Sequence, residues 1–290
     1  MKNKLTFANS IPKEFEKHKE YVFDAIKCFF DALDVECELV VKFNWLNGKE
    51  SINQFEITDC AIRNLDNKKH ELLLTNGVLR SIDRDGGRFF ISALAHEFEH
   101  LRDFEHLMAT GLFDFNPCLQ TQKDFERTYI SRGYFFWTEV CAYYKTIFHS
   151  SNFEYDFPNI TFGYLVKNYI KTKQYNKRIY YKKDLSRSEA EKYIEMVESF
   201  IYLCAKFLAF RYAYKARIPY TKIEKNKDYK QVYSILCSFE PKVKRIMRKP
   251  YSPKSRENLF KLGKYICENL SWTKFKVGLV QRKNKILQFY

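Results

Sequence analysis

The 290-residue sequence is poor in the residues that interrupt regular structure, with only 9 Gly and 7 Pro. This low content excludes collagen-like, low-complexity and loop-rich chains. Hydrophobic residues make up 46% of the sequence, which is enough for a sizeable core. The composition therefore predicts a folded protein of one large domain or two modest ones.

The sequence also lacks long apolar runs and paired cysteines. The most apolar stretch, residues 200–214, is interrupted by Lys206 and Arg211 and is too short to span a bilayer. The N-terminus has no apolar segment of the length found in export signals. The eight cysteines include no CxxC pair, a pattern typical of reduced thiols rather than of a disulfide framework or a zinc ribbon. The sequence thus predicts a cytoplasmic protein without a membrane segment.

Charge is distributed unevenly along the chain. Residues 1–150 carry 19 Lys and Arg against 23 Asp and Glu, whereas residues 151–290 carry 31 against 12. The net charges are −4 and +19, which together give the +15 of the whole chain. We therefore expect two domains, 1–150 and 151–290, of which the second is basic and either separate from the first or packed integrally on it.

Hydrophobic periodicity predicts an α+β fold that is predominantly helical, with a small antiparallel or mixed sheet. The expected elements of the first half are helices over 12–33, from 88 to about 111 and over 122–149, with strands at 37–43, 55–64 and 70–76. Beyond residue 150 the pattern is helical. A capping box, formed by Ser186 with Glu189 or by Ser188 with Glu191, is expected to open a helix that reaches Arg217. Prolines 219, 241, 250 and 253 are expected to separate two or three further helices.

The most informative stretch is ISALAHEFEHLRDFEH, residues 91–106, which holds three of the six histidines. On a helix, His96 and His100 lie four positions apart on one face, where two neutral imidazoles can bind one Zn²⁺. Glu97 is turned about 100° from His96 and lies at the edge of that face, so it can reach a water without being a ligand itself. This is the HExxH arrangement of zinc hydrolases. The preceding residues, FFISALA, would bury the helix beneath a sheet, whereas the alternative of a solvated charged helix needs no such burial.

A catalytic zinc normally has three protein ligands, and three residues compete for the third position. His106 has the metzincin spacing, but Asp103 occupies the place of the glycine that lets the chain leave the helix. Asp103 could itself be a ligand, or it could orient His100. Glu139 lies within an apolar helical segment, where an isolated carboxylate is costly unless a cation accompanies it.

The order of these parts resembles a minimal zincin of the gluzincin type, such as the ImmA-like and SprT-like peptidases. The resemblance covers roughly residues 35–150 and is carried by CAIRNLDNKKHELLLTN (60–76), HEFEH (96–100) and WTEVCAYY (137–144). It implies that His96, His100 and Glu139 hold zinc and that Glu97 is the general base. Tyr143 stands where thermolysin-type enzymes have an aspartate, so a different residue, such as Asp103, would have to support a histidine.

These observations predict a zinc metallopeptidase, an endopeptidase that acts on protein or peptide substrates. The alternative is a non-catalytic protein of zincin shape, whose basic residues 151–290 bind nucleic acid or an acidic protein partner. His18 and His70 lie outside the motif and are expected at the surface.

Overall fold

The computed structural model of the protein describes residues 3–43, 60–66, 68–111, 125–149, 161–180, 186–214, 218 and 220–269. The chain forms two compact units. The first contains residues 1–114 and 145–156, and the second contains residues 115–144 and 157–290. Helix α4 (Phe125–His149) therefore contributes to both. The two-domain division at residue 150 stays a prediction.

The fold is α+β and predominantly helical, which confirms the expected class. The strands are β1 (Lys4–Phe7), β2 (Glu38–Phe43), β3 (Cys60–Asp66) and β4 (Lys69–Leu74). Besides α4, the helices are a 3₁₀ helix at Lys13–His18, α1 (Lys19–Asp31), α2 (Asn76–Asp85), α3 (Arg88–Ala109), α5 (Phe162–Tyr180), α6 (Arg187–Tyr214), α7 (Tyr220–Lys225), α8 (Lys227–Arg248) and α9 (Pro253–Asn269). None of the described helices combines the length and the apolar character needed to cross a bilayer.

The first unit is built on a mixed sheet with the strand order β1-β2-β4-β3. β2 runs parallel to both β1 and β4, whereas β3 runs antiparallel to β4 and lies at the end of the sheet. Along β2, fully buried residues alternate with half-buried ones, as expected for a strand with one face on a core. The helices α1, α2 and α3 contribute buried residues to the same core, which includes Val22, Ile26, Phe30, Leu39, Val41, Phe43, Leu72, Leu74, Phe90, Leu94, Phe98 and Leu101.

Two elements of the first unit, β1 and α2, were not expected from the sequence. The sequence DRDGG, residues 83–87, predicts a loop before α3, but the loop is shorter than predicted because α2 continues to Asp85. It is reduced to Gly86 and Gly87, which adopt left-handed conformations with φ of 69° and 82°. Glycine adopts this region without steric cost, so two residues suffice to turn the chain from α2 into α3. Part of the predicted strand 55–64 lies outside the described residues.

In the second unit, the N-terminus of α6 has the first of the two expected capping boxes. The amide of Glu189 donates to Ser186 Oγ at 3.3 Å, and the amide of Ser186 donates to Glu189 Oε2 at 3.2 Å. The described part of the helix runs to Tyr214, and its expected end at Arg217 lies outside the described residues. The expectation that Pro241 separates helices was wrong, because α8 continues through it to Arg248. Proline removes one backbone donor, and packing can hold a helix together around that loss.

Two glycines of the second unit allow α4 and α9 to cross at close range. A Cβ atom on Gly133 would collide with the carbonyl group of Leu259, and one on Gly263 would collide with the carbonyl group of Tyr129. The sequence alone predicts only that Gly133 weakens its helix. Its role is instead to let two backbones approach.

His70 is not at the surface, as expected from the sequence, but fully buried on β4. Its Nε2 lies 2.7 Å from Glu105 Oε1 of α3, and its Nδ1 lies 2.7 Å from Asn64 Oδ1 of β3. Glu105 is only 5% exposed. A buried carboxylate is costly without a hydrogen-bonding partner, and His70 provides that partner for Glu105. The two hydrogen bonds of His70 also connect α3 to β3 and β4.

This burial predicts that replacing His70 is severely destabilising. His70→Leu would leave the Glu105 carboxylate buried without its partner, at a cost of about 3–5 kcal/mol in the free energy of unfolding. The measurement is urea unfolding followed by circular dichroism. His18→Leu is a matched control, because His18 also contacts a carboxylate, Asp83, at 2.9 Å but in a solvent-exposed pair. His18→Leu should lower the free energy of unfolding by less than about 1 kcal/mol. Equal effects of the two substitutions would contradict the prediction.

Candidate metal centre

Helix α3 presents two different faces, as the sequence predicts. Phe90, Leu94, Phe98 and Leu101 are all buried in the core of the first unit. His96 and His100 are turned away from that apolar stripe, Glu97 lies at its edge, and all three are partly buried. The apolar stripe therefore fixes how the helix is rotated about its axis, and that rotation determines where the histidines lie.

The imidazoles of His96 and His100 face each other across one turn of α3. Their ring centroids are 4.5 Å apart with the rings almost perpendicular, and their Nε2 atoms are 2.9 Å apart. Glu139 of α4 completes a group in which one ligand atom of each residue lies within 4.8 Å of the others. All three side chains are at least partly buried.

The chemistry of this donor set fits zinc. Two imidazole nitrogens and one carboxylate oxygen are the ligands of one well-known kind of catalytic zinc site, which keeps a fourth position for water. In a tetrahedral site with bonds of 2.0–2.1 Å, the donor atoms lie roughly 3.3 Å apart. The two imidazole nitrogens are 2.9 Å apart and no pair of ligand atoms in the group is separated by more than 4.8 Å, a range compatible with one shared ion. The ligand roles themselves stay predictions.

Glu97 lies beside the metal-capable group but is not part of it. Its Oε2 accepts a hydrogen bond of 2.8 Å from the backbone N–H of Ile62 in β3. Ile62 pairs with Leu72 of β4, and β3 has no second partner among the described strands. The N–H of Ile62 donates to Glu97 and not to β4, so Glu97 lies at the edge of the sheet formed by the described strands.

The two other ligand candidates, Asp103 and His106, have partners of a different kind. The Asp103 carboxylate is 1% exposed and lies 3.6 Å from the ammonium group of Lys145. His106 Nε2 lies 3.1 Å from Asp34 in a pair that is open to solvent. Neither belongs to the three-residue group identified among the described residues.

Lys145 is a residue of this region that the sequence pattern did not single out. Its ammonium group donates to Glu99 at 2.6 Å and also lies close to Asp103, and both carboxylates belong to α3. Arg102 forms a further ion pair with Glu99. Lys145 thus links the C-terminal part of α4 to α3. Its neighbours in sequence carry no signal for this, because the two carboxylates lie more than 40 positions upstream.

No protein-family model, no curated protein and no solved structure matches this chain. The resemblance to zincins therefore stays a prediction from the residues of the motif.

The geometry predicts that the protein binds one zinc ion per chain and that three side chains are needed for it. His96→Ala, His100→Ala and Glu139→Ala should each weaken zinc binding by more than about 100-fold, beyond the range for residues that only support a ligand. Zinc affinity can be measured by competition with a chromophoric chelator, and stoichiometry by elemental analysis.

The matched control is His106→Ala, which removes a histidine of the same helix that lies outside the group. It should bind zinc with wild-type affinity. Full zinc binding by Glu139→Ala, together with its loss in Asp103→Ala or His106→Ala, would show that the third ligand is misassigned.

Proposed function

We propose that the protein is a zinc-dependent metallopeptidase that cleaves peptide bonds within protein or peptide chains. The observation that carries this proposal is the group formed by His96, His100 and Glu139, with the Glu97 carboxylate next to it. A structural zinc site is normally closed by four protein ligands, whereas three ligands and a nearby carboxylate suit catalysis.

His96, His100 and Glu139 would hold the zinc. When bound, zinc acts as a Lewis acid that makes a water molecule acidic near neutral pH and polarises the scissile carbonyl group. Glu97 would accept the proton of the attacking water at its carboxylate and then transfer it to the leaving amine. The carboxylate is suited to this role because the Ile62 N–H holds it in place without neutralising its charge.

β3 is an edge strand among the described strands, and this position is compatible with a peptide as the substrate. An extended peptide can add to a free sheet edge through backbone hydrogen bonds. Such pairing on β3 would bring a peptide carbonyl group close to Glu97, because Glu97 already contacts that edge at Ile62. Backbone pairing also suits cleavage inside a chain, since it does not require a free terminus.

We propose the cytosol as the place where the protein acts. The described cysteines, 28, 37, 60, 141, 204, 237 and 267, are all free thiols. Reduced cysteines are the usual state in that compartment. Burial raises the pKa of the Cys37 thiol to about 12, with a smaller contribution from the charge of Glu105. This thiol therefore stays protonated and unreactive at neutral pH.

The substitution Glu97→Gln tests the catalytic role. Glutamine keeps the size of the side chain and a carbonyl oxygen that can still accept from the Ile62 N–H, but it cannot accept a proton. We expect zinc affinity to stay within a few-fold of the wild type and the cleavage rate to fall at least 100-fold. Rates can be measured on a pool of fluorogenic peptides at saturating zinc.

Two outcomes would contradict the proposal. A Glu97→Gln variant that cleaves at the wild-type rate would exclude Glu97 as the base. Zinc binding at the predicted residues without cleavage of the peptide pool by the wild type would favour the alternative, a binding protein of zincin shape.

A further inference from the structure

The second unit has a concentrated basic surface where α8 ends and α9 begins, which we call the α8–α9 corner (residues 241–256). Its sequence, PKVKRIMRKPYSPKSR, contains seven basic residues and no acidic residue. Six of the seven side chains are exposed, namely Lys244, Arg245, Arg248, Lys249, Lys254 and Arg256. Such a density of charge creates a positive potential that attracts anions unless internal partners neutralise it.

Internal contacts account for only part of this charge. Lys244 pairs with Glu240 at 2.7 Å, one turn earlier in α8. Lys242 donates to the carbonyl oxygen of Ser238 and lies 4.8 Å from the centre of the Tyr265 ring. By contrast, no carboxylate in the described parts of the chain lies within 4.0 Å of four of the cations, Arg245, Arg248, Lys249 and Lys254.

The helix dipole does not explain the remaining cations either. It favours Arg245 and Arg248, which lie in the last turn of α8, but only weakly because both side chains are exposed. Lys254, however, lies in the first turn of α9, where the dipole is positive and a cation is unfavourable. The like charges are also close enough to affect one another. The pKa of Lys242 is lowered by burial and, to a smaller extent, by the charge of Arg245.

We propose that the α8–α9 corner binds the phosphate backbone of nucleic acid without reading its base sequence. Arginine matches phosphate because its planar guanidinium group donates two parallel hydrogen bonds. No large aromatic side chain within 241–256 is among the exposed ones described. Tyr251 is partly buried, and its ring meets that of Trp137 edge to face at 6.4 Å.

This surface therefore offers charge but no platform on which a base could stack. Proteins that bind single strands combine both features, whereas backbone contacts suffice for a duplex. We accordingly expect duplex DNA to bind at least as tightly as a single strand of the same sequence. The proposal goes beyond the peptidase activity and does not depend on it.

The test uses the full chain and a fluorescently labelled 30-base-pair DNA duplex, with binding followed by anisotropy between 50 and 200 mM salt. If the four cations without internal partners each neutralise a phosphate, the affinity should fall about 100-fold over this range. The variant Arg245→Gln/Arg248→Gln/Lys249→Gln/Lys254→Gln should bind at least about 10-fold more weakly at 50 mM salt and lose most of the salt dependence.

The matched control removes four positive charges from another helix of the same unit. Lys167, Lys171, Lys177 and Arg178 are exposed residues of α5, and their replacement by glutamine should leave DNA affinity within about threefold. Circular dichroism and thermal unfolding would verify that both variants fold. If the corner variant does not fold, the pairs Arg245→Gln/Arg248→Gln and Lys249→Gln/Lys254→Gln should each remove about half of the salt dependence.

Three results would overturn the proposal. Absence of DNA binding at 50 mM salt excludes it, because electrostatic association is strongest at low salt. An equal loss of affinity in the α5 variant shows that net charge acts diffusely and not through the corner. Binding of polyglutamate as tight as that of DNA shows that the surface serves acidic proteins instead.

Discussion

The packing of helix α3 on the mixed sheet is the interaction on which the candidate site depends. Phe90, Leu94, Phe98 and Leu101 are almost completely removed from solvent, and each contributes about 2 kcal/mol through that burial. These residues recur every three or four positions and occupy one stripe of the helix. Once the stripe is buried, the rotation of the helix is fixed and the side chains of the opposite face, including His96, are fixed with it.

Buried charges then define the position of α3 more precisely than apolar packing can. Glu105 is tied to His70 on the sheet, and Glu99 and Asp103 are tied to Lys145 on α4. Such pairs contribute little net stability because removing each charge from water is costly. Each pair is nevertheless satisfied in one arrangement only, since a shift of one residue would leave a charge buried without its partner. This requirement suits a metal site, which needs ligand atoms placed within fractions of an ångström.

The two halves of the sequence differ in what their charges do. In the first unit, buried carboxylates have specific side-chain partners, as Glu105 with His70 and Asp103 with Lys145 illustrate. In the second unit, some cations are matched, such as Lys173 with Asp228 at 2.6 Å, but the α8–α9 corner keeps several that are not matched by any described carboxylate. The charge asymmetry of the sequence thus corresponds to a specific surface.

Features set by neighbouring residues were predictable from the sequence. The HExxH motif, the apolar stripe of α3 and the capping box of Ser186 with Glu189 all depend on spacings of three or four positions within one helix. Helical geometry converts such spacings directly into directions in space. The helical character of the chain and the presence of a small sheet followed from the same local periodicity.

Features set by distant residues were decided only by the tertiary structure. The sequence left Glu139, Asp103 and His106 as alternatives, and the folded chain brings Glu139 into the group with His96 and His100. His70 looked like a surface residue because its buried partner, Glu105, lies 35 positions away. Periodicity within a strand or helix shows which face is apolar, but not which distant side chain meets that face. That depends on how the whole chain folds back on itself.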